Sequence, residues 1–211
     1  MKITKELLKE KGACADGYRA FLEEYPVDKY PDGVEYQELL NCCAEKNFSY
    51  GSWLLGAFGK TDEVRKIDGD LITEKGIIFA GQLEAKGCIK AGWGIEAGEG
   101  IRAGLGIETG YGIEAGGGIK AGLGIKAGEG IKAGYGIKAV GDIEAGWGIE
   151  AGWSIKAGNG IKAGDEFGIY AGLRFRITNK TQRKIIAKKR PENIMCGEFE
   201  EKSDSEGKKD D

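Results

Sequence analysis

Between residues 71 and 164, an aliphatic side chain recurs at every sixth position, and no other spacing interrupts the series. A charged residue follows the aliphatic one in most repeats, and alanine usually comes next. Such a short, fixed period predicts a solenoid, in which each unit buries its apolar side against its neighbours. The aliphatic positions are Leu71, Ile77, Leu83, Ile89, Ile95, Ile101, Ile107, Ile113, Ile119, Ile125, Ile131, Ile137, Ile143, Ile149, Ile155 and Ile161.

The repeat fits a coiled β-strand and excludes two other structures. Each glycine would cost about 1 kcal/mol in a helix interior, and collagen needs glycine at every third position. Here Gly122, Gly124, Gly128 and Gly130 are alternately two and four residues apart. In a strand, isoleucine and alanine point to one side and the charged residue to the other. We therefore expect an isoleucine and alanine core, with the glycines at corners, where they adopt backbone angles that other residues resist.

One position of the repeat, between the two glycines, varies freely. Glutamate occupies it at Glu99 and Glu129, and a buried carboxylate would be costly, so we expect an exposed corner. Exposed aromatic residues on a rigid scaffold are candidates for protein recognition. The alternative is that they merely cover glycine backbone at the corners. The predicted protein-binding residues are Trp93, Tyr111, Tyr135, Trp147 and Trp153.

The number of repeats in one coil decides which corner residues are neighbours. Three repeats would stack the charged residues in an alternating row, which suits pairing across strands. That row is Lys90, Glu108, Lys126, Glu144 and Lys162, and one edge would hold Trp93, Tyr111, Glu129 and Trp147. Two repeats would instead align Glu99, Tyr111, Leu123, Tyr135, Trp147 and Asn159. We favour three repeats, and hence a three-sided parallel β-helix of about five coils.

The remaining segments differ from the repeat in composition. The first segment predicts short helices, with Thr4 and Asp16 as expected N-caps. Two extra residues follow Asp165, and the pattern resumes at Ile169 and Phe175. The predicted organisation is a small α-helical N-terminal domain over 1–59, a polar linker over 60–70, the mainly β solenoid over 71–177, a basic strand segment or cap over 178–200, and a disordered tail over 201–211.

Composition argues against most catalytic chemistry. The chain has no histidine, which removes the commonest general base and metal ligand. None of its five cysteines forms a CxxC pair, so we expect neither a zinc site nor a disulfide framework. We accordingly expect no catalytic residue, metal or cofactor. The N-terminus is charged and no long apolar run occurs, so we expect a cytoplasmic protein without a membrane partner.

A basic segment near the C-terminus is the candidate nucleic-acid site. Residues 174–190 carry eight cations and no acid, and such a cluster can neutralise phosphates. The alternative is a solvated strand pair, neutralised by acidic residues within 198–211 of the same chain. The cations are Arg174, Arg176, Lys180, Arg183, Lys184, Lys188, Lys189 and Arg190. The net charge of −3 does not by itself favour a nucleic-acid partner.

The six-residue period resembles that of the left-handed β-helix acyltransferases. Their small residue precedes the aliphatic one by two positions, whereas Ala97 and Ala121 follow it here. Their catalysis uses a histidine, which this chain lacks. We therefore expect the solenoid fold without acyl transfer, and the changed phase leaves the handedness open.

A second resemblance covers most of the chain. The head ITKELLKEKGACADGYRAFLEEY, the GIxAGx array and the ending RPENIMCGEF resemble uncharacterised proteins of Firmicutes phages and mobile elements. The resemblance implies a setting in which compact non-enzymatic proteins block host defence complexes, CRISPR effectors among them. We expect an inhibitor that occludes a host protein or ribonucleoprotein. The alternatives are nucleic-acid binding through 174–190 and a structural role, in which exposed coil ends would stack.

Overall fold

The computed structural model describes residues 1–173 and 180–202, and it confirms a parallel β-solenoid with a small helical N-terminal region. Within the repeats, residues eighteen apart pair across neighbouring strands: Ile107 with Ile125, and Ile125 with Ile143. One coil therefore contains three repeats. The arrangement with two repeats per coil is excluded, because residues twelve apart lie in different sheets.

Three parallel sheets form the sides of the solenoid. Sheet 1 contains β4 (Leu71–Thr73), β7 (Ile89–Ala91), β10 (Ile107–Thr109), β13 (Ile125–Ala127), β16 (Ile143–Ala145) and β19 (Ile161–Lys162). Sheet 2 contains β5 (Ile77–Phe79), β8 (Ile95–Ala97), β11 (Ile113–Ala115), β14 (Ile131–Ala133), β17 (Ile149–Ala151), β20 (Ile169–Ala171) and β22 (Ile194–Cys196). Sheet 3 contains β3 (Val64–Ile67), β6 (Gln82–Ala85), β9 (Ile101–Ala103), β12 (Ile119–Ala121), β15 (Ile137–Ala139), β18 (Ile155–Lys156), β21 (Lys184–Ala187) and β23 (Glu198–Glu201).

The solenoid extends beyond the predicted bounds at both ends and has about seven turns rather than five. The expected linker over 60–70 contains β3, which pairs with β6, so that prediction was wrong. Beyond a short 3-10 helix at Lys180–Arg183, strands β21, β22 and β23 continue sheets 3 and 2. Ile169 resumes the pattern as expected, whereas Phe175 and residues 203–211 lie outside the described residues. Glu201, expected in the tail, ends β23.

The interior matches the pattern of apolar positions. In β12, Ile119 and Ala121 are both 1% exposed, whereas Lys120 between them faces solvent. The same alternation of buried, exposed and buried residues holds in most strands of the repeat. Thr109 replaces an alanine and is buried, and its hydroxyl donates a hydrogen bond to the Tyr111 carbonyl at 2.8 Å. The core is therefore a narrow column of isoleucine and alanine.

The two glycines of each repeat serve close packing rather than unusual backbone angles. No glycine between residues 71 and 164 has a positive φ, so the expectation of special corner angles was wrong. A Cβ added at Gly122 would lie 1.9 Å from the Gly104 carbonyl oxygen, and one at Gly128 would lie 2.0 Å from that of Gly110. Where glycine follows the alanine of a repeat, it thus allows consecutive coils to approach. The second glycine is less crowded, since a Cβ at Gly106 would meet an oxygen only at 3.5 Å.

The irregular repeat at residues 137–142 has a structural explanation. Val140 replaces the first glycine, and its side chain is exposed. Asp142 replaces the second glycine, and its Oδ1 accepts a hydrogen bond from the Gly160 amide at 2.8 Å. Asp70 Oδ1 likewise accepts a hydrogen bond at 2.7 Å from the Cys88 amide, which also lies one coil further on. Aspartate at this corner therefore links successive coils.

The helical head packs against the outer side of sheet 2. Its elements are β1 (Lys2–Ile3), α1 (Lys5–Glu10), α2 (Ala15–Glu24), β2 (Val34–Glu35), α3 (Tyr36–Lys46) and α4 (Phe48–Phe58). Its core includes Leu40 and Leu54, and it covers Ile78 of β5, which is 2% exposed. Gln37 of α3 donates to the Ile78 carbonyl at 2.8 Å and accepts from the Ala80 amide at 3.0 Å. The head is thus docked on the first coil through both apolar and polar contacts.

Helix capping in the head follows the sequence in part. The Thr4 hydroxyl accepts a hydrogen bond from the Leu7 amide at 3.3 Å, as predicted for the cap of α1. Asp16 does not cap α2, which begins one residue earlier, at Ala15. The Cys14 sulfur accepts from the Gly17 amide instead.

The crowding at the first glycine predicts a difference between two alanine substitutions. Gly122→Ala should lower the free energy of unfolding by about 1–3 kcal/mol, because the new methyl group forces neighbouring backbone apart. Gly106→Ala, the matched control, should leave stability nearly unchanged. Urea unfolding followed by circular dichroism measures both free energies. Equal stability of the two variants would contradict this account of the repeat.

Candidate binding surfaces of the solenoid

The variable corner residues form three edges, each named by the sheets that it joins. Along each edge the corner residues are stacked one coil apart, and the Tyr111 amide donates to the Trp93 carbonyl at 3.3 Å. The predicted recognition residues are therefore split between two edges. Edge 1/2 holds Trp93, Tyr111, Glu129, Trp147 and Phe167; edge 2/3 holds Glu99, Gly117, Tyr135 and Trp153; edge 3/1 holds Leu105, Leu123, Gly141 and Asn159.

Edge 1/2 presents the more accessible aromatic side chains. Tyr111 is 52% exposed and Trp147 is 49% exposed. Trp147 stacks on Phe167, with ring centroids 5.9 Å apart. Trp93 is half-buried, and the Lys75 ammonium lies 5.0 Å from its ring centroid. The sequence prediction did not include Phe167, although the two-residue insertion after Asp165 marks this corner.

Edge 2/3 holds a closely packed aromatic pair. Tyr135 and Trp153 are both half-buried, and their ring centroids are 4.7 Å apart. The interpretation that aromatic residues cover the corners describes this pair better than it describes Tyr111 and Trp147.

The outward residues of the sheets separate charge by side. Sheet 1 alternates as predicted, with Lys90 paired to Glu108 and joined to it by an ion pair of 3.0 Å. On sheet 2 the outward residues are mainly acidic, and on sheet 3 they are mainly basic. The acidic row of sheet 2 is Glu96, Glu114 and Glu150, with Lys132 between the last two; the basic row of sheet 3 is Arg102, Lys120, Lys138 and Lys156.

An acidic groove of 700 Å³ runs between edge 1/2 and the acidic row. Phe48 and Ser52 of α4 line it where the head packs on the solenoid. The groove combines carboxylates and aromatic rings, with Lys132 as the one cation among its described lining residues. Its carboxylates are Glu96, Glu114, Glu129, Glu150 and Glu166, and its aromatic side chains besides Phe48 are Tyr111, Trp147, Phe167 and Tyr170.

Burial perturbs the carboxylate nearest the head. Burial raises the pKa of Glu96, and the charge of Glu114 raises it further. The hydrogen bond donated by the Ser52 hydroxyl and the charge of Lys132 act in the opposite direction. Lys132 forms an ion pair with Glu114 at 2.9 Å, and the hydrogen bond within this pair raises the pKa of Lys132.

Among the predicted nucleic-acid-binding cations that the structure describes, several contact other groups of the chain rather than forming one site. Arg183 pairs with Glu198, and Lys184 pairs with Glu200. Arg190 lies over the ring of Phe199, at 5.7 Å from its centroid. Lys188 and Lys189 are exposed, Arg174 and Arg176 lie outside the described residues, and Lys180 begins the 3-10 helix. Arg183 and Lys184 therefore fit the alternative, in which acidic residues of the same chain neutralise the basic segment.

The helical head contains a further cavity of 660 Å³ with largely apolar walls. Cys42 and Cys43 line it, and burial raises the pKa of Cys43 to about 12. A thiol with such a pKa stays protonated near neutral pH and is a poor nucleophile.

Neither a metal site nor a membrane-spanning helix is found in the described part of the chain. Within residues 1–173 and 180–202, no group of three or more Cys, Asp or Glu side chains is arranged to hold a metal ion. No helix in these ranges has the length and apolarity needed to cross a membrane. Comparison with family models, with curated proteins and with solved structures found no match to this chain.

Glu96→Gln should stabilise the protein at neutral pH. A carboxyl whose folded-state pKa is raised costs stability once pH exceeds that pKa, and the cost disappears below its unfolded-state pKa. The melting temperature of the variant should therefore exceed that of wild type at pH 7 and converge with it under acidic conditions. Glu114→Gln, which removes the ion pair with Lys132, is the control and should give no gain. A lower melting temperature for Glu96→Gln at pH 7 would mean that the ionised carboxylate stabilises the fold.

Proposed function

We propose that this protein is a non-enzymatic binding protein whose acidic groove receives a basic surface of another protein. The observation that carries the proposal is the combination of five carboxylates with exposed aromatic rings along one rigid groove. Aromatic side chains supply apolar anchor area at protein interfaces. The carboxylates supply electrostatic complementarity, which governs orientation and association rate.

The rigidity of the groove favours binding. The acidic row lies on strands and Tyr111 and Trp147 lie at corners, and in both places the backbone is hydrogen-bonded from coil to coil. A partner therefore finds these side chains already arranged, which reduces the entropy lost on association. The corner position also tolerates substitution, so one scaffold can carry different recognition surfaces.

The resemblance to proteins of phages and mobile elements points to a host defence complex as the partner. Complexes of the CRISPR effector kind hold nucleic acid in positively charged channels. Such a channel has the charge that the acidic groove complements. In this proposal the protein occludes the channel, and inhibition follows from binding alone without a catalytic step.

The alternative of nucleic-acid binding through residues 174–190 has less support, since Arg183, Lys184 and Arg190 already have partners within the chain. A structural role through stacking of coil ends is the other alternative. Among the described residues, β22 and β23 are the last strands of sheets 2 and 3, so such stacking would add to them.

The decisive comparison uses two double variants on different edges. Tyr111→Ala with Trp147→Ala removes the exposed aromatic side chains of edge 1/2. Leu105→Ala with Leu123→Ala is the matched control on edge 3/1, where the two leucines are 47% and 55% exposed. Each tagged protein is expressed in a Firmicutes host and purified after nuclease treatment. We expect wild type and the control to retain a stoichiometric host protein, and the edge 1/2 variant to lose it.

A functional assay extends this comparison. In a host with an active CRISPR system, wild type and the edge 3/1 control should restore plasmid acquisition, whereas the edge 1/2 variant should not. Retention of the same partner by all three proteins would contradict the placement of the interface. A bound partner without any effect on interference would contradict the inhibitor role.

A further inference from the structure

Sheet 3 carries a row of like charges that the repeat does not require. In the basic row, Lys120 lies opposite Arg102 on one side and Lys138 on the other, and Lys138 lies opposite Lys156. Like charges directly opposite one another on neighbouring strands are destabilising. Sheet 1, built from the same repeat, alternates Lys and Glu at the equivalent positions. The outward charges of sheet 3 from Arg102 to Lys156 are therefore of one sign, whereas those of sheet 1 alternate.

The row begins with a pair of opposite charges. Arg102 forms an ion pair of 3.5 Å with Glu84, the outward residue of the preceding strand. Beyond Arg102 the outward positions are three successive lysines, and Ile186 follows them in the register. The row is thus a strip of positive charge with one cation per coil, at a spacing of ~4.8 Å.

A groove of 450 Å³ runs beside this row, along edge 2/3. The basic row forms one wall, and glycine backbone at Gly100, Gly118 and Gly136 contributes to the other. Gly117 occupies the corner position at which Glu99, Tyr135 and Trp153 of the same edge carry side chains, which leaves that part of the groove open. Glu99 also lines the groove, but its carboxylate pairs with Lys60.

An aromatic ring lies beside the cations. Tyr135 lines the groove and packs against Trp153. A positive groove that follows a backbone, combined with aromatic side chains on which bases stack, is how many proteins bind single strands without sequence preference. A flat membrane surface fits a concave groove less well, and an acidic peptide gives no role to the aromatic ring.

We propose that the basic row and Tyr135 form a binding site for single-stranded nucleic acid, with phosphates along the lysines and a base against the tyrosine. This site lies on a different side of the solenoid from the acidic groove, and it does not depend on the function proposed above. It also differs from the basic segment 174–190, since its cations belong to the repeats.

The test measures binding of a fluorescein-labelled oligothymidylate to the full chain by fluorescence anisotropy at several salt concentrations. Lys120→Gln with Lys138→Gln should weaken binding and reduce the slope of log affinity against log salt by about 0.7 for each phosphate that the variant no longer neutralises. The matched control is Lys90→Gln with Lys126→Gln on sheet 1, which removes the same charge. A second control is Lys188→Gln with Lys189→Gln in the C-terminal segment. Both controls should bind nearly as wild type does.

Tyr135→Leu separates base stacking from charge. It should weaken oligothymidylate binding while leaving the salt slope unchanged, because the lysines still neutralise the same phosphates. Circular dichroism confirms that each variant remains folded.

Three results would overturn the proposal. These are absence of oligothymidylate binding, equal losses of affinity in the sheet 1 and sheet 3 variants, and poly-glutamate binding that is as tight as oligothymidylate binding and unaffected by Tyr135→Leu. The last result would assign the row to an acidic protein segment instead.

Discussion

The close approach of successive coils at the first glycine, which most repeats carry, is the constraint on which the rest of the structure depends. At Gly104, Gly122 and Gly164, a Cβ would lie within about 2 Å of a carbonyl oxygen of the coil before. Backbone that passes so near its neighbour cannot shift register without losing hydrogen bonds along the corner. Isoleucine stacks on isoleucine and alanine on alanine, so the core has one well-defined packing along its length.

Strict register converts a linear pattern into three different surfaces. Residues eighteen apart become neighbours, so the choice of charged residue in every third repeat sets the charge of one side. The chain as a whole is nearly neutral, yet sheet 2 presents an acidic row and sheet 3 a basic row. The surfaces also differ at their corners, because the type of corner residue on one edge, whether aromatic, aliphatic or glycine, does not depend on the type on another edge. The helical head makes one end of sheet 2 distinct by covering Ile78 and holding Glu96 through Ser52.

Much of this architecture could be predicted from the sequence, since a repeat multiplies a weak local signal. The inward isoleucine and alanine, the three-repeat coil and the alternating row of sheet 1 follow from period and charge alone. The same counting by eighteen places Trp93, Tyr111 and Trp147 on one edge and would have revealed the acidic and basic rows. Composition does not show these rows, because the negative charges of sheet 2 and the positive charges of sheet 3 cancel when they are summed over the whole repeat region.

Other features depend on contacts between distant parts of the chain. The role of the first glycine is a contact with the coil before, and local backbone preference gave the wrong reason for it. Strand β3 has no repeat signature and exists because β6 offers it a partner. Gln37 reaches the backbone of β5 from a helix more than forty residues away, and no local pattern marks that contact. Pairing of Arg183 and Lys184 with β23 likewise required the fold of the C-terminal segment.

The separation of charge by side, from which both proposed binding surfaces derive, rests on the eighteen-residue coil. A pair of double-mutant cycles tests it most directly. Lys126→Glu combined with Glu144→Lys, eighteen residues apart, should show a favourable coupling of about 0.2–1 kcal/mol in urea unfolding, because the exchanged charges still face each other. Lys126→Glu combined with Glu114→Lys, twelve apart, should show no coupling, since those residues lie in different sheets. Coupling in the second cycle and none in the first would contradict the three-sided solenoid and the two charged surfaces built on it.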